Sequence, residues 1–411
     1  MERTICCVDI GTSKICAVVA KVNRSGDIEV LGKSMKPCDC VKKGVIVDID
    51  EASSIIKSCI SEIRAIKNVQ INSAYVNIMG AHVSIISNRS SVDTSTSNHE
   101  ISQEDIERVL SRVEDLEFPK DRQIIDVVPR QYILDGCDEI VDPLGMTGMK
   151  LEVEADIIAG KITSVQNIIK SMKKADMEVE GIIVESLAIG ELALTPQEKD
   201  IGVVLIDIGG GITNISVFKN KKIVFFDSLP VGGDHISNDI SIGLRIPFNE
   251  AEKLKREYEL ALTSLIKNDH EITVNDVNDN KKKDIKVSEV VEIIEARVHE
   301  IFSLCKNVLD KNQVLDSFNG NVVLAGGGIS YVDGNMQLAY EVFELPARVA
   351  YHKIPGISKP EFLTCVGTVR YVASRLKLSK NESETENKVS NKSRPKFAFL
   401  KKIYKFFTGL F

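Results

Sequence analysis

The chain has 411 residues, 43% hydrophobic and 27% charged, which predicts roughly two to four packed units and excludes both a disordered chain and a single ordinary core. A net charge of −7 argues against a domain that tracks nucleic-acid backbone, and no apolar run approaches the roughly 18 residues of a membrane span. Nine cysteines without a CxxC pair and six scattered histidines disfavour a disulfide scaffold or a structural zinc site, and the N-terminus lacks a secretory pattern, so the sequence predicts a cytoplasmic protein.

Strand-like and helix-like segments alternate, which predicts an α/β protein. Strands over 4–10, 15–22 and 28–34 precede a helix over 52–66 and a strand over 73–79. From residue 82 the texture changes: a polar loop at 90–99, a helix over 103–113 and strands at 124–128, 131–134 and 151–159 predict an inserted subdomain. A helix over 163–175 and a strand over 181–184 resume the first pattern. A second body follows, with strands at 203–208 and 215–218, a helical stretch over 236–260 and a polar loop at 268–284. Val287, Val290, Val291, Ile294, Val298, Ile301, Phe302 and Cys305 recur at three- and four-residue spacing and predict a long helix over 287–308. A buried-type strand at 322–325 and a helix over 360–376 close the body. Residues 379–394 hold one apolar residue, Val389, and predict a flexible linker.

Two segments repeat. Val8-Asp9-Ile10-Gly11, followed by an alternating apolar run, resembles Ile206-Asp207-Ile208-Gly209 and its own run, so the sequence predicts two related lobes facing a cleft. In each, a carboxylate ends a strand and a glycine turn follows. Gly11, Thr12, Ser13 and Lys14 form an anion-binding turn with a lysine charge, while Gly209, Gly210 and Gly211, ahead of Thr213, form a triplet that implies close backbone approach. A third strand ends in Gly326, Gly327 and Gly328. None of the three is a GxGxxG or Walker loop. Together they point to a nucleotide with its phosphates between two lobes, and Asp9 and Asp207 would hold Mg²⁺ largely through water.

Residues 205–214, then 230–240, then 251–255, together with the basic aromatic C-terminus, resemble the FtsA family of bacterial cell-division proteins, within the actin/Hsp70/sugar-kinase superfamily. The resemblance implies an actin-like two-lobed ATPase fold with an inserted α+β subdomain and a C-terminal amphipathic helix. It assigns 1–82, 162–199 and 346–378 to the first lobe, 83–161 to an inserted SHS2-like subdomain, 200–226 and 302–345 to the second lobe, and 227–301 to that lobe's subdomain. It further implies ATP and Mg²⁺ as ligands. Gly326, Gly327 and Gly328 would pass near the adenosine and α-phosphate, Thr213, Gly232 and Gly233 would line the same site, and Glu252 and Lys255 would contact purine and ribose. The alternative for the last two is a solvated ion pair on one helix face. Glu185 would orient the attacking water, or simply be an acid favoured at a helix N-terminus.

The same resemblance implies that Arg297 and Glu300, on the long helix, receive the C-terminal peptide of FtsZ; a solvated intrahelical pair is the alternative. It also implies filaments and other division proteins as partners. At 100° per residue, Phe399, Leu400, Ile403, Tyr404, Phe406, Phe407, Leu410 and Phe411 fill one arc of about 160°, with Lys401, Lys402 and Lys405 opposite. Residues 395–411 therefore predict a helix lying in an anionic membrane interface, and the chain a peripheral protein of the cytoplasmic membrane face. A type IV pilus assembly protein is the nearest rival reading. An Hsp70-like chaperone lacks room for its peptide-binding domain after residue 378, and a sugar or acetate kinase gains nothing from such a tail.

Overall fold

The structure is a computed structural model that describes residues 3–384, apart from 24–25, 68–69, 118, 278–280, 317, 353 and 358. The tail helix over 395–411 lies outside the described residues.

Two five-stranded sheets share one topology. The first runs Glu178–Val184, Ser73–Ile78, Arg3–Ile10, Lys14–Val22, Ile28–Pro37, and the second runs Ala347–Val349, Asn321–Ala325, Val203–Ile208, Thr213–Lys219, Lys222–Leu229. In both, the central strand is antiparallel to the hairpin strand that follows it and parallel to the strand on its other side. The repeated Asp-Ile-Gly motif thus marks a duplicated sheet, with each motif at the C-terminal end of a central strand, where α/β sheets bind ligands.

The central strands read as continuous apolar runs because helices cover both faces. In the first lobe Cys6, Val8 and Ile10 point into a core with Ile56, Ile60 and Ile63 of helix Ile49–Lys67 and Ile168 and Met172 of helix Ile162–Lys174. Ile5 and Cys7 point the other way, onto Cys365, Val366 and Val369 of helix Leu363–Glu384. In the second lobe Val204, Ile206 and Ile208 meet Ile294, Val298, Ile301 and Phe302 of helix Val287–Lys311. The opposite face, Val203 and Leu205, packs on Ile189 of helix Glu185–Ala193, so a helix that follows a first-lobe strand also serves the second sheet. Each such buried aliphatic side chain contributes about 1.5–3 kcal/mol.

The inserted unit is a four-stranded antiparallel sheet, Val83–Asp93, Lys150–Lys161, Arg122–Leu134, Cys137–Ile140, crossed by helix Gln103–Val113. Arg375 on the final helix donates to Asp126 and to the Val127 carbonyl (3.2 Å), tying that helix to the inserted sheet.

Several sequence expectations need correction. The polar loop at 90–99 begins as strand, with Ser90, Ser91 and Asp93 paired to Val153, Glu152 and Lys150; an antiparallel sheet with one solvated face tolerates such residues. The strands at 124–128 and 131–134 are one strand with a bulge beside Pro129, where a residue without an N–H is accommodated. The loop at 268–284 contains the hairpin Glu271–Asn275 with Lys282–Lys286, anchored by buried Val274 and Ile285. The stretch 236–260 is two helices, Gly233–Gly243 and Phe248–Tyr258, separated ahead of Pro247. Strand Ala347–Val349 belongs to the second sheet, not to the first lobe from 346. Helix Leu363–Glu384 continues six residues into the segment read as a linker from 379, since extending a docked helix needs no new nucleation. Helix Asn335–Phe343 and strand Lys222–Leu229 were not expected from the sequence. Among the described residues, no helix is long and apolar enough to cross a membrane.

Candidate functional site

The two Asp-Ile-Gly turns meet. The Gly211 N–H donates to Thr12 Oγ1 at 2.9 Å, and an added Cβ on Gly210 would lie 2.6 Å from Ser13 Oγ. At the floor of this junction Asp9 and Asp207 face one another. Burial pushes the Asp9 carboxyl up, the Asp207 charge adds to this, and Lys14 opposes it. Burial also raises Asp207, against a hydrogen bond from Asn214 and the charge of Lys14. Lys14 pairs with no carboxylate among the described residues, so its charge remains directed at this floor.

Glu185 joins them. It begins a helix directly after strand Glu178–Val184, is 6% exposed, and accepts from Asn214 Nδ2 at 2.9 Å. Burial raises it well above the usual carboxylate range, and the charges of Asp9 and Asp207 raise it further. The acid thus belongs to a buried trio; the helix terminus alone does not account for it. Burial and mutual repulsion thus favour the protonated forms of these acids, and among the described residues no three acidic, histidine or cysteine side chains are set closely enough to ligate a metal ion by themselves. Asp9 Oδ1 and Asn214 Oδ1 are buried without a hydrogen-bond partner. Oxygen ligands with unused lone pairs are what a hard divalent cation takes.

The glycines show why no other residue serves. An added Cβ on Gly232 would lie 2.5 Å from the Gly210 carbonyl, and one on Gly233 would lie 2.9 Å from Gly328 Cα. Gly326 has φ +91°, and its Cβ would lie 2.3 Å from the Ile208 carbonyl and 2.5 Å from Asp207 Oδ1. The Gly233 and Gly328 N–H groups donate to the Gly209 and Ile208 carbonyls at 2.9 and 2.8 Å. The three glycine runs therefore pack backbone on backbone. Part of the close approach expected from the sequence is to one another and to the opposite hairpin. Thr213, expected to line the nucleotide site, is fully buried and donates to the Val231 carbonyl at 2.7 Å, fixing the loop that brings Gly232 and Gly233 to the triplet.

Glu252 and Lys255 are not a solvated pair. Lys255 is 2% exposed; its Nζ lies 2.6 Å from Glu252 Oε2 and donates to the Gly233 carbonyl at 2.9 Å. Burial lowers the lysine, opposed chiefly by Glu252. Ser237 and Arg256 Nε also donate to Glu252. Lys255 and Ser237 are buried within this polar cluster, and Glu252 and Arg256 form its more exposed side. Asn214, Asp234, Arg256 and Glu361 also reach the junction and were not singled out in the sequence. Asn214 was the findable one, since it faces Asp207 across the hairpin register.

A second feature lies on the outer side of the second lobe. Helices Gly233–Gly243 and Val287–Lys311 border a groove of 450 Å³, with Ile242, Ile293 and Ala296 among its lining and Asp239, Arg297 and Glu300 at its edge. Arg297, expected to be exposed, is 26% exposed because it donates to both Asp239 and Glu300. Ile242 is 68% exposed.

Comparison with known proteins agrees with this architecture. A family model described as cell division protein FtsA matches residues 204–367, and one described as the SHS2 domain inserted in FtsA matches 80–159. The FtsA of Bacillus subtilis is 34% identical over 371 residues, which are 90% of this chain and 84% of that protein. The chain belongs to the FtsA family. Within it, the FtsA of Pseudomonas aeruginosa is 32% identical over 409 residues, covering 98% of this chain and 97% of its own. Among solved structures, the PilM–PilN type IV pilus biogenesis complex superposes with a TM-score of 0.57 at 16% identity, covering 92% of this chain and 98% of that one. MreB5 of Spiroplasma citri bound to ADP gives 0.53 at 16% identity, over 94% and 99%. The fold of this FtsA-family chain is thus actin-like, with the family's SHS2 unit inserted between its first-lobe strands.

Proposed function

We propose that this division protein binds ATP with Mg²⁺ in the cleft, polymerises, and anchors FtsZ filaments to the cytoplasmic face of the membrane at the division site, where it helps recruit other division proteins. The observation that carries the reading is the buried trio Asp9, Asp207 and Glu185 between two glycine hairpins from opposed lobes. Burying three acids together is costly unless a cation joins them. Asp9 and Asp207 would hold Mg²⁺, mainly through water. The turn Gly11–Lys14 and the N–H groups of the facing triplet would take the phosphates, with Gly232, Gly233 and Gly326–Gly328 beside the nucleoside and Glu252 and Lys255 shaping its pocket. When bound, Mg²⁺ would neutralise phosphate charge. Glu185 would act as the water-positioning residue, and any hydrolysis would be weak.

The groove beside Arg297 and Glu300 supports the FtsZ part. It combines apolar lining with a mostly acidic rim, which suits a short peptide carrying apolar anchors and basic residues. Four lysines and no acidic residue in 395–411 support lipid attachment, and many weak anchors on one polymer would add up.

One sedimentation assay tests the whole reading. FtsZ should pellet with anionic vesicles only when this protein and Mg-ATP are both present. Asp207→Ala should remove the nucleotide requirement's benefit, and deletion of 395–411 should abolish vesicle pelleting while sparing ATP binding. Equal FtsZ recovery with and without the protein would overturn the proposal.

A further inference from the structure

One acid in the cleft belongs to none of the glycine motifs. Glu361 sits in the short turn Pro360–Phe362 that opens the final first-lobe helix. The turn is held firmly. Phe362 is 4% exposed in the core, Lys33 Nζ stands 5.5 Å over its ring, and the same Nζ donates to the Gly356 carbonyl at 2.5 Å. The Glu361 side chain is 8% exposed and points at the third glycine run. A Cβ built on Gly327 would lie 2.9 Å from Glu361 Cγ and 2.7 Å from Lys14 Nζ. A carboxylate and the cradle's lysine therefore flank the same glycine.

The ion-pair partner of Glu361 comes from the other lobe. Arg256, on helix Phe248–Tyr258, places its guanidinium 3.6 Å from Glu361 Oε1. Arg256 is also held by Glu252 at 2.6 Å and lies 5.6 Å from the Tyr331 ring centroid. The pair crosses the cleft, and at 3.6 Å it compensates the acid only in part. A nearly dry carboxylate beside a phosphate cradle opposes any incoming polyphosphate. It opposes the free nucleotide more than the Mg²⁺ complex, which carries less negative charge.

We propose that Glu361 is a charge gate on the cleft, which penalises metal-free nucleotide and so makes binding depend on Mg²⁺. The gate rests on the nucleotide reading above and adds a residue that discriminates between two forms of one ligand. Its role differs from that of Asp9 and Asp207, which would attract the cation: Glu361 repels the phosphate when the cation is missing.

The test is calorimetric titration of the full chain with ADP, once with Mg²⁺ and once with EDTA. Wild type should bind Mg-ADP more tightly than free ADP. In Glu361→Gln, free ADP should gain about tenfold in affinity and Mg-ADP less, so the ratio between the two falls. Glu361→Asp should keep the wild-type ratio. Arg256→Gln, which leaves the carboxylate without its counter-charge, should move the ratio the other way even if overall affinity drops, and it serves as the independent test should Glu361→Gln fold poorly. A merely structural role would change both affinities by one factor. An unchanged ratio in Glu361→Gln, or equal factors for both ligand forms, overturns the gate while leaving the nucleotide reading intact. If wild type binds neither form, the nucleotide reading falls and the gate with it.

Discussion

The two Asp-Ile-Gly hairpins descend from one pattern and occupy the same place in two sheets of the same strand order, yet they present different chemistry. The first offers side chains: Thr12 and Ser13 reach the opposite turn, and Lys14 aims its charge at the carboxylates. The second offers bare backbone, with Gly210 and Gly211 beneath Ser13 and Thr12 and Gly209 against the other glycine runs. A duplicated motif can face itself only if one copy gives up its side chains. Two full turns would collide, whereas a side-chain turn on a glycine turn closes to hydrogen-bonding distance. The contrast extends to the acids. Asp9 has one buried oxygen without a partner, while a hydrogen bond from Asn214 opposes the rise at Asp207.

The strongest way to break this comparison is to place a methyl on each side. Gly326→Ala, on the crowded side, meets both a left-handed backbone and the Ile208 carbonyl. It should destabilise the fold by about 3 kcal/mol or more. On the open side, the nearest atom to a Cβ on Gly11 is the Lys14 carbonyl at 3.0 Å, with no positive φ, so Gly11→Ala should cost about 1 kcal/mol. Urea denaturation of the two variants measures the difference, and equal costs would show that the crowding is not asymmetric.

The acids give a second contrast through pH. A carboxyl whose folded value is raised holds its proton more tightly in the native state than in the unfolded chain. Between about pH 4, the ordinary carboxylate value, and neutrality the native state then binds more protons, so the stability of the ligand-free protein falls as pH rises through that window. The slope reaches about 1.4 kcal/mol per pH unit for a full proton of difference. Asp9→Asn should flatten it more than Asp207→Asn, because Asn214 opposes the rise only at Asp207. Denaturation midpoints at pH 5, 6 and 7 in the absence of nucleotide read this directly. A slope of opposite sign in wild type would mean the trio is ionised and otherwise compensated.

The smallest effect concerns the bond between the hairpins. Thr12→Ala removes the acceptor of the Gly211 N–H, a part-buried contact, and should cost about 1 kcal/mol. Thr12→Ser should restore most of it. If neither variant moves the melting temperature, the hairpins are held together by packing alone.

Much of this was legible locally. Apolar spacing at three and four residues located helix Val287–Lys311, and uninterrupted apolar runs located the central strands, because each pattern reports a face that must be buried. The strand Val83–Asp93 escaped, since its polar run from Ser87 to Ser91 looks like a loop until a partner strand supplies the pairing. The hairpin Glu271–Asn275 with Lys282–Lys286 escaped for the same reason.

What the sequence determined by itself was the pair of Asp-Ile-Gly turns, the three glycine runs, the inserted texture and the basic aromatic tail, all of which depend on neighbours in the chain. Tertiary structure alone decided that Asp9, Glu185 and Asp207 share one buried floor, that Lys255 is buried, that Thr213 serves a loop rather than the cleft, and that Glu361 pairs with Arg256 beside Gly327. The reason is the same in each case. A residue's burial and charge environment are set by atoms from strands and helices distant in sequence, and hydrophobic periodicity specifies which face turns inward without specifying what it will meet there.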